Sequence, residues 1–210
     1  MLAQIRGFFS ALPDALTALL YLVTWIAPLH WGTDVVGNLM LVMLLEFLVV
    51  HSGGFIGMKV LDPNASRTSK TVAVIGFGLF YMIFVLAFSL AFKRSWVIGA
   101  FAWLLLGKLV TVWFSPLPAA RESDRQRELW GLSVLAYIGW VFVTVLLPLP
   151  RLGLQPDVVA QLGLPGSGLW VEKPHTVIVF GLLYFATLAW MKWYGSIKAD
   201  AGRAVAKPTP

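Results

Sequence analysis

An all-α, multi-pass membrane fold of about six transmembrane helices is predicted for this chain, and three observations predict it. Of 210 residues, 59% are hydrophobic and only 12% are charged, against roughly 45–50% and 25% in soluble domains. The mean hydropathy is +0.80. Apolar windows of about 20 residues, each enough to cross ~30 Å of hydrocarbon at ~1.5 Å per residue, follow one another with only short polar or Gly/Pro-rich breaks between them. They leave no room for a separate soluble domain, so the reading is a single transmembrane domain over 1–210.

The first stretch, MLAQIRGFFSALP, carries one arginine and two phenylalanines. No small-residue cleavage site follows it, so it reads as an interfacial start to span one and not as a removed leader. Span one is placed at about 12–31, and its exit PLHWGTD holds Pro28, Gly32 and an N-cap candidate in Thr33 or Asp34. Span two, 35–58, follows at once as the second arm of an antiparallel hairpin. The polar loop LDPNASRTSK then leads into span three, 71–92, and only KRS separates it from span four, 96–115. The most polar segment, SPLPAARESDRQREL, is expected to hold a short surface helix before span five, 130–148. In the 150–174 connection, PDVVAQLGL predicts a second short surface helix and PGSGLWVEKP a glycine-rich turn. Span six is 175–194, and 195–210 is expected to be a disordered tail.

Six spans place both termini on one side. That side carries eleven lysines and arginines (Arg6, Lys59, Arg67, Lys70, Arg121, Arg125, Arg127, Lys192, Lys198, Arg203, Lys207) and the other four (Lys93, Arg94, Arg151, Lys173). By the positive-inside rule both termini are cytoplasmic, with the 150–174 loop outside. Tryptophans agree, with Trp31, Trp96 and Trp170 at the outer boundary and Trp113, Trp130 and Trp193 at the inner one. The expected location is a bacterial inner membrane or its equivalent. The Asn64-Ala65-Ser66 sequon falls in a loop read as cytoplasmic and is taken as unused.

Composition also limits chemistry. There is no cysteine, which removes disulfides, thiolate metal sites and thiol catalysis. The net charge of +6 comes from residues at the ends of apolar runs, where anionic headgroups would meet them; it points to a bilayer and not to nucleic acid. HExxH, GxSxG and P-loop motifs are absent from the sequence.

The polar residues inside the spans carry what remains. Glu46 lies eleven residues from Val35 and Lys108 twelve from Trp96, depths of ~16 and ~18 Å on two helices that both run inward. An uncompensated charge there costs at least ~2.5–3.5 kcal/mol, so the two are expected to pair. Gly53 and Gly57 fall within about 20° of Glu46 around the helix and form a small-residue packing strip. Thr111 and Ser115 fall on the Lys108 face, and Tyr81 and Tyr184 reach similar depths on spans three and six, so either phenol could complete a polar cluster. His51 is about 140° from Glu46, the wrong spacing for a shared metal site, and reads first as a satisfied structural histidine. His30 and His175, both near the outer boundary, are the only residues worth weighing as haem ligands, yet membrane haem histidines usually lie deeper. No metal site and no cofactor is predicted. Glu172, three residues before His175, fits a favourable charge at a helix start.

KTVAVIGFGLFY (Lys70 to Tyr81) aligns without gaps on KPHTVIVFGLLY (Lys173 to Tyr184). A true repeat would divide the chain into two inverted three-helix halves, as in many secondary transporters; common membrane residues produce such echoes by chance, and spans two and five do not match. Three classes of function fit. The first is a structural or accessory membrane protein docking on a partner subunit or on a second copy. The second is a small proton-linked transporter using Glu46 near Lys108. The third is a membrane enzyme or haem protein acting on a lipid or quinone-like molecule through Glu46, His51 and the tyrosines. The weight falls on the first, and away from an enzyme.

Overall fold

The computed structural model describes residues 2–60, 62, 64–114 and 120–205, with side chains left aside at 2–6, 120–123, 125 and 196–205. The described residues are helical, with no strand: α1 (Leu2–Ile26), α2 (Asp34–Val60), α3 (Arg67–Phe92), α4 (Trp96–Phe114), α5 (Ala120–Leu146), α6 (Pro156–Leu162), α7 (Leu169–Glu172) and α8 (Pro174–Val205). Six contain stretches long and apolar enough to cross a membrane: Gly7–Ile26, Asp34–Val60, Arg67–Phe92, Trp96–Phe114, Gln126–Leu146 and Pro174–Gly195. The six helices are compatible with a multi-pass membrane protein. The fold class read from composition is the one observed.

Three boundaries differ from expectation. α1 begins well before residue 12 and runs straight through Pro13, since proline removes one backbone donor and a membrane helix can re-satisfy what it frees. α5 takes in the polar ARESDRQREL segment as its own first turns instead of forming a separate surface helix; residues 115–119 lie outside the described residues. α8 continues to Val205, because KADAGRAV is rich in alanine and straight-chain residues of high helix propensity. The tail expected to be disordered is therefore helical as far as described, and 206–210 lie outside.

The turns follow their residues. Ser66 caps α3 by accepting from Ser69 N at 3.1 Å. At the KRS turn Lys93 sits at φ 55, its N–H on Leu90 O, and Arg94 N reaches Ser89 O at 3.0 Å. α6 starts with Pro156 in its first turn and ends on Gly163 at φ 56, as the surface-helix reading requires.

Internal contacts group the chain into two compact units, one of Met1–Leu39, Ile138–Gly163 and Glu172–Pro210, the other of Met40–Tyr137 and Leu164–Val171. In the first, α1 packs along α8. Gly181 makes this possible, because a Cβ there would collide with the Tyr21 ring. That ring is fully buried, stacks on Phe185 at 5.8 Å and donates its hydroxyl to Leu39 O at 2.7 Å. The connection after α5 is pressed against the end of α1: Trp25 Nε1 donates to Pro150 O and Gly153 N to Trp25 O, both at 3.0 Å. In the second unit, α3 packs on α4, and Leu41 and Leu48 of α2 join Tyr81, Val85, Val97 and Phe101 in one apolar cluster.

Candidate functional site

In the second unit α2 turns two polar faces toward different neighbours. Toward α5, Tyr137 donates its hydroxyl to Met43 O and Trp130 donates Nε1–H to Val50 O, each at 2.8 Å. The acceptors are seven residues apart on α2 and the donors seven apart on α5, so the contacts are two rungs of one antiparallel helix pair, about two turns apart. Glu46 lies between the rungs on this face, near enough for its charge to act on the buried Tyr137 hydroxyl. The glycines explain the approach. A Cβ at Gly54 would collide with the Trp130 indole, and one at Gly53 would touch it at 3.5 Å, whereas Gly57 faces open space. The strip expected at Gly53 and Gly57 is thus centred on Gly53 and Gly54, and an indole ring fills it instead of a helix backbone.

Toward α3, His51 Nδ1 and the Tyr81 hydroxyl share a 2.6 Å hydrogen bond. Phe47 stacks on the imidazole at 5.5 Å and Phe55 meets it edge-on at 5.5 Å. Tyr81 is buried while His51, Phe47 and Phe55 remain exposed, so the pair lies beside an exposed aromatic strip along α2. Such a pair can hold or pass a proton and can hydrogen-bond a polar group on an otherwise apolar molecule. His51 is hydrogen-bonded and is also accessible.

The expected Glu46–Lys108 pair is not formed. Lys108 is exposed on α4 and makes no ion pair among the described residues, while Glu46 is turned to α5. Thr111 is also exposed, and its hydroxyl bonds back to Gly107 O at 2.9 Å, so it marks no inward polar path; Ser115 lies outside the described residues. Tyr184 belongs to the first unit, fully buried against Phe180 and Phe185. His30 is exposed with its ring against Trp31 at 4.6 Å, and His175 is buried in the first turn of α8. Among the described residues no group of three or more His, Asp or Glu side chains is placed to hold a metal.

One ion pair between two candidate membrane-spanning helices went unread in the sequence. Asp14 and Lys192, on α1 and α8 within the first unit, meet at 2.5 Å. Its signal was an acid seven residues inside Gly7, hidden by placing the start of span one at residue 12.

The echoed segments share a packing role. Val74, Gly78 and Tyr81 are buried on α3, and Val177, Gly181 and Tyr184 at the aligned places on α8. Each glycine receives a large side chain, Leu105 at Gly78 and Tyr21 at Gly181. Searches against protein-family models, curated proteins and solved structures find no match.

Proposed function

We propose that this chain is a structural or accessory subunit of a membrane assembly, meeting its partner through the outward face of α4. Lys108 carries the reading. It is an exposed cation on a helix whose neighbouring surface is apolar, with Trp103 at 74% and Phe114 at 83% exposure, and the chain's described residues supply it no carboxylate. A helix bearing an acid at that level would satisfy it more fully than snorkelling alone. The use made of other polar groups supports the same reading, because Tyr21, Trp130 and Tyr137 each end on a helix backbone carbonyl, as braces do.

The test is Lys108→Met, which keeps length and helix propensity while removing the charge. With a photo-crosslinker at Val110, the native membrane should give a discrete higher-mass adduct, lost in Lys108→Met and retained in Lys93→Met at the neighbouring turn. Absence of any adduct in the wild-type background, or the same adduct with Lys108→Met, overturns the reading.

A second reading, proton-linked transport, is favoured by the 2.6 Å His51–Tyr81 bond beside the exposed rings of Phe47 and Phe55. Glu46→Gln and Tyr81→Phe remove a proton site each with little change of shape. A pH-dependent flux in proteoliposomes that survives both substitutions, and His51→Gln as well, leaves that reading without a site.

A further inference from the structure

At the end of the second unit where α2 finishes and α3 and the apolar part of α5 begin, a cavity of about 410 Å³ is lined by Phe55, Met58, Lys59, Asp62, Phe77 and Arg127. Its chemistry is graded. Phe55 and Phe77 stack at 5.4 Å, an interplanar angle of 23°, and make an apolar wall. Lys59 sits about one helical turn nearer the end of α2 than Phe55, and Arg127 lies at the start of the apolar part of α5. Both cations are exposed, and among the described residues neither has an ion-pair or hydrogen-bond partner. The one acid is otherwise engaged, since Asp62 Oδ1 accepts from Asn64 N at 2.9 Å within its own loop. Two cations against one acid leave a net charge of +1, the complement of a single phosphodiester.

We propose that this cavity is a binding site for the headgroup and upper chains of an anionic phospholipid. Phosphate would sit between Lys59 and Arg127, with the glycerol and upper acyl carbons along Phe55, Phe77 and Met58. This order, cations at the helix ends and aromatic rings one turn inward, follows a phospholipid from head to tail. A free phosphate would use the cations and leave the aromatic wall unfilled; a zwitterionic lipid would bring a third cation against Lys59 and Arg127. The inference rests on the helices crossing a bilayer, and cysteine labelling from both sides of intact cells tests that separately.

The experiment uses the full chain in neutral detergent, read by thermal unfolding and by native mass spectrometry of bound lipid. Phosphatidylglycerol should raise Tm saturably and be retained at one copy, with phosphatidylcholine and inorganic phosphate giving neither effect. Lys59→Gln with Arg127→Gln should weaken phosphatidylglycerol binding by roughly tenfold or more, and Arg127→Gln alone by an intermediate amount. Because both side chains are exposed and have no partner among the described residues, these variants keep the fold. Lys93→Gln, just past the C-terminal end of α3, should bind as the wild type does. Undiminished phosphatidylglycerol binding in the Lys59/Arg127 variant, or equal stabilisation by inorganic phosphate or phosphatidylcholine, overturns the proposal.

Discussion

Gly181→Ala should be among the most damaging single changes in the chain, and the aligned Gly78→Ala among the milder ones. A Cβ at Gly181 meets the Tyr21 ring itself, which is fully buried, stacked on Phe185 and tied by its hydroxyl to Leu39 O. The ring cannot withdraw without giving up that bond and the α1–α8 contact. Overpacking costs ~1–3 kcal/mol and a lost hydrogen bond about 1 more, so a loss of ~2–4 kcal/mol is expected. At Gly78 the nearest atom is Leu105 Cδ1, 2.7 Å from the added Cβ, the tip of a side chain that can change rotamer; a loss of about 1 kcal/mol or less is expected. Thermal or denaturant unfolding of the two variants checks the ranking. Equal losses would mean that the echoed glycines are not distinguished by what they face.

The second large effect is expected at Asp14 and Lys192. The Asp14 side chain is 12% exposed and that of Lys192 38%, so water screens the lysine in part and moderates the value of the pair. Asp14→Asn should cost about 1–2 kcal/mol, since it replaces a charge-assisted hydrogen bond by a weaker one and leaves an uncompensated ammonium against α1. Lys192→Met should cost a similar amount for the mirror-image reason. Combining them should cost less than the sum, because the double variant strands no charge. Additive penalties in a double-mutant cycle would show that the 2.5 Å contact carries no coupling.

How much of this was legible beforehand depends on which coordinate is asked for. Position along the chain was readable at the breaks, because Gly32, KRS and Gly163 end or separate elements within a few residues of where they were placed, whereas the starts of α1 and α5 and the end of α8 were not. Depth was readable only where a span's start was right: with span one begun at about residue 12 Asp14 falls at its edge, whereas the helix starts earlier and passes through Pro13. Direction around each helix axis was not readable. Glu46 and Lys108 were counted to the same level, but the side of α2 that meets α5 is decided by Trp130 seating over Gly54, a contact 76 residues apart that no local pattern announces. The His51–Tyr81 bond was missed for the same reason. Both residues had been singled out, at separate places, and only the packing of α2 against α3 brings imidazole and phenol together.

That six helices cross a membrane and return both termini to one side underlies the roles given to Lys108, to the Asp14–Lys192 pair and to the Lys59/Arg127 cavity. The direct measurement is labelling of single cysteines introduced into this cysteine-free chain at Ser123, before the apolar part of α5, and at Ser167, in the glycine-rich turn before α7. In intact cells a membrane-impermeant maleimide should modify Ser167→Cys at once and Ser123→Cys only after the membrane is opened. Modification of both from the same side would contradict the six-span topology.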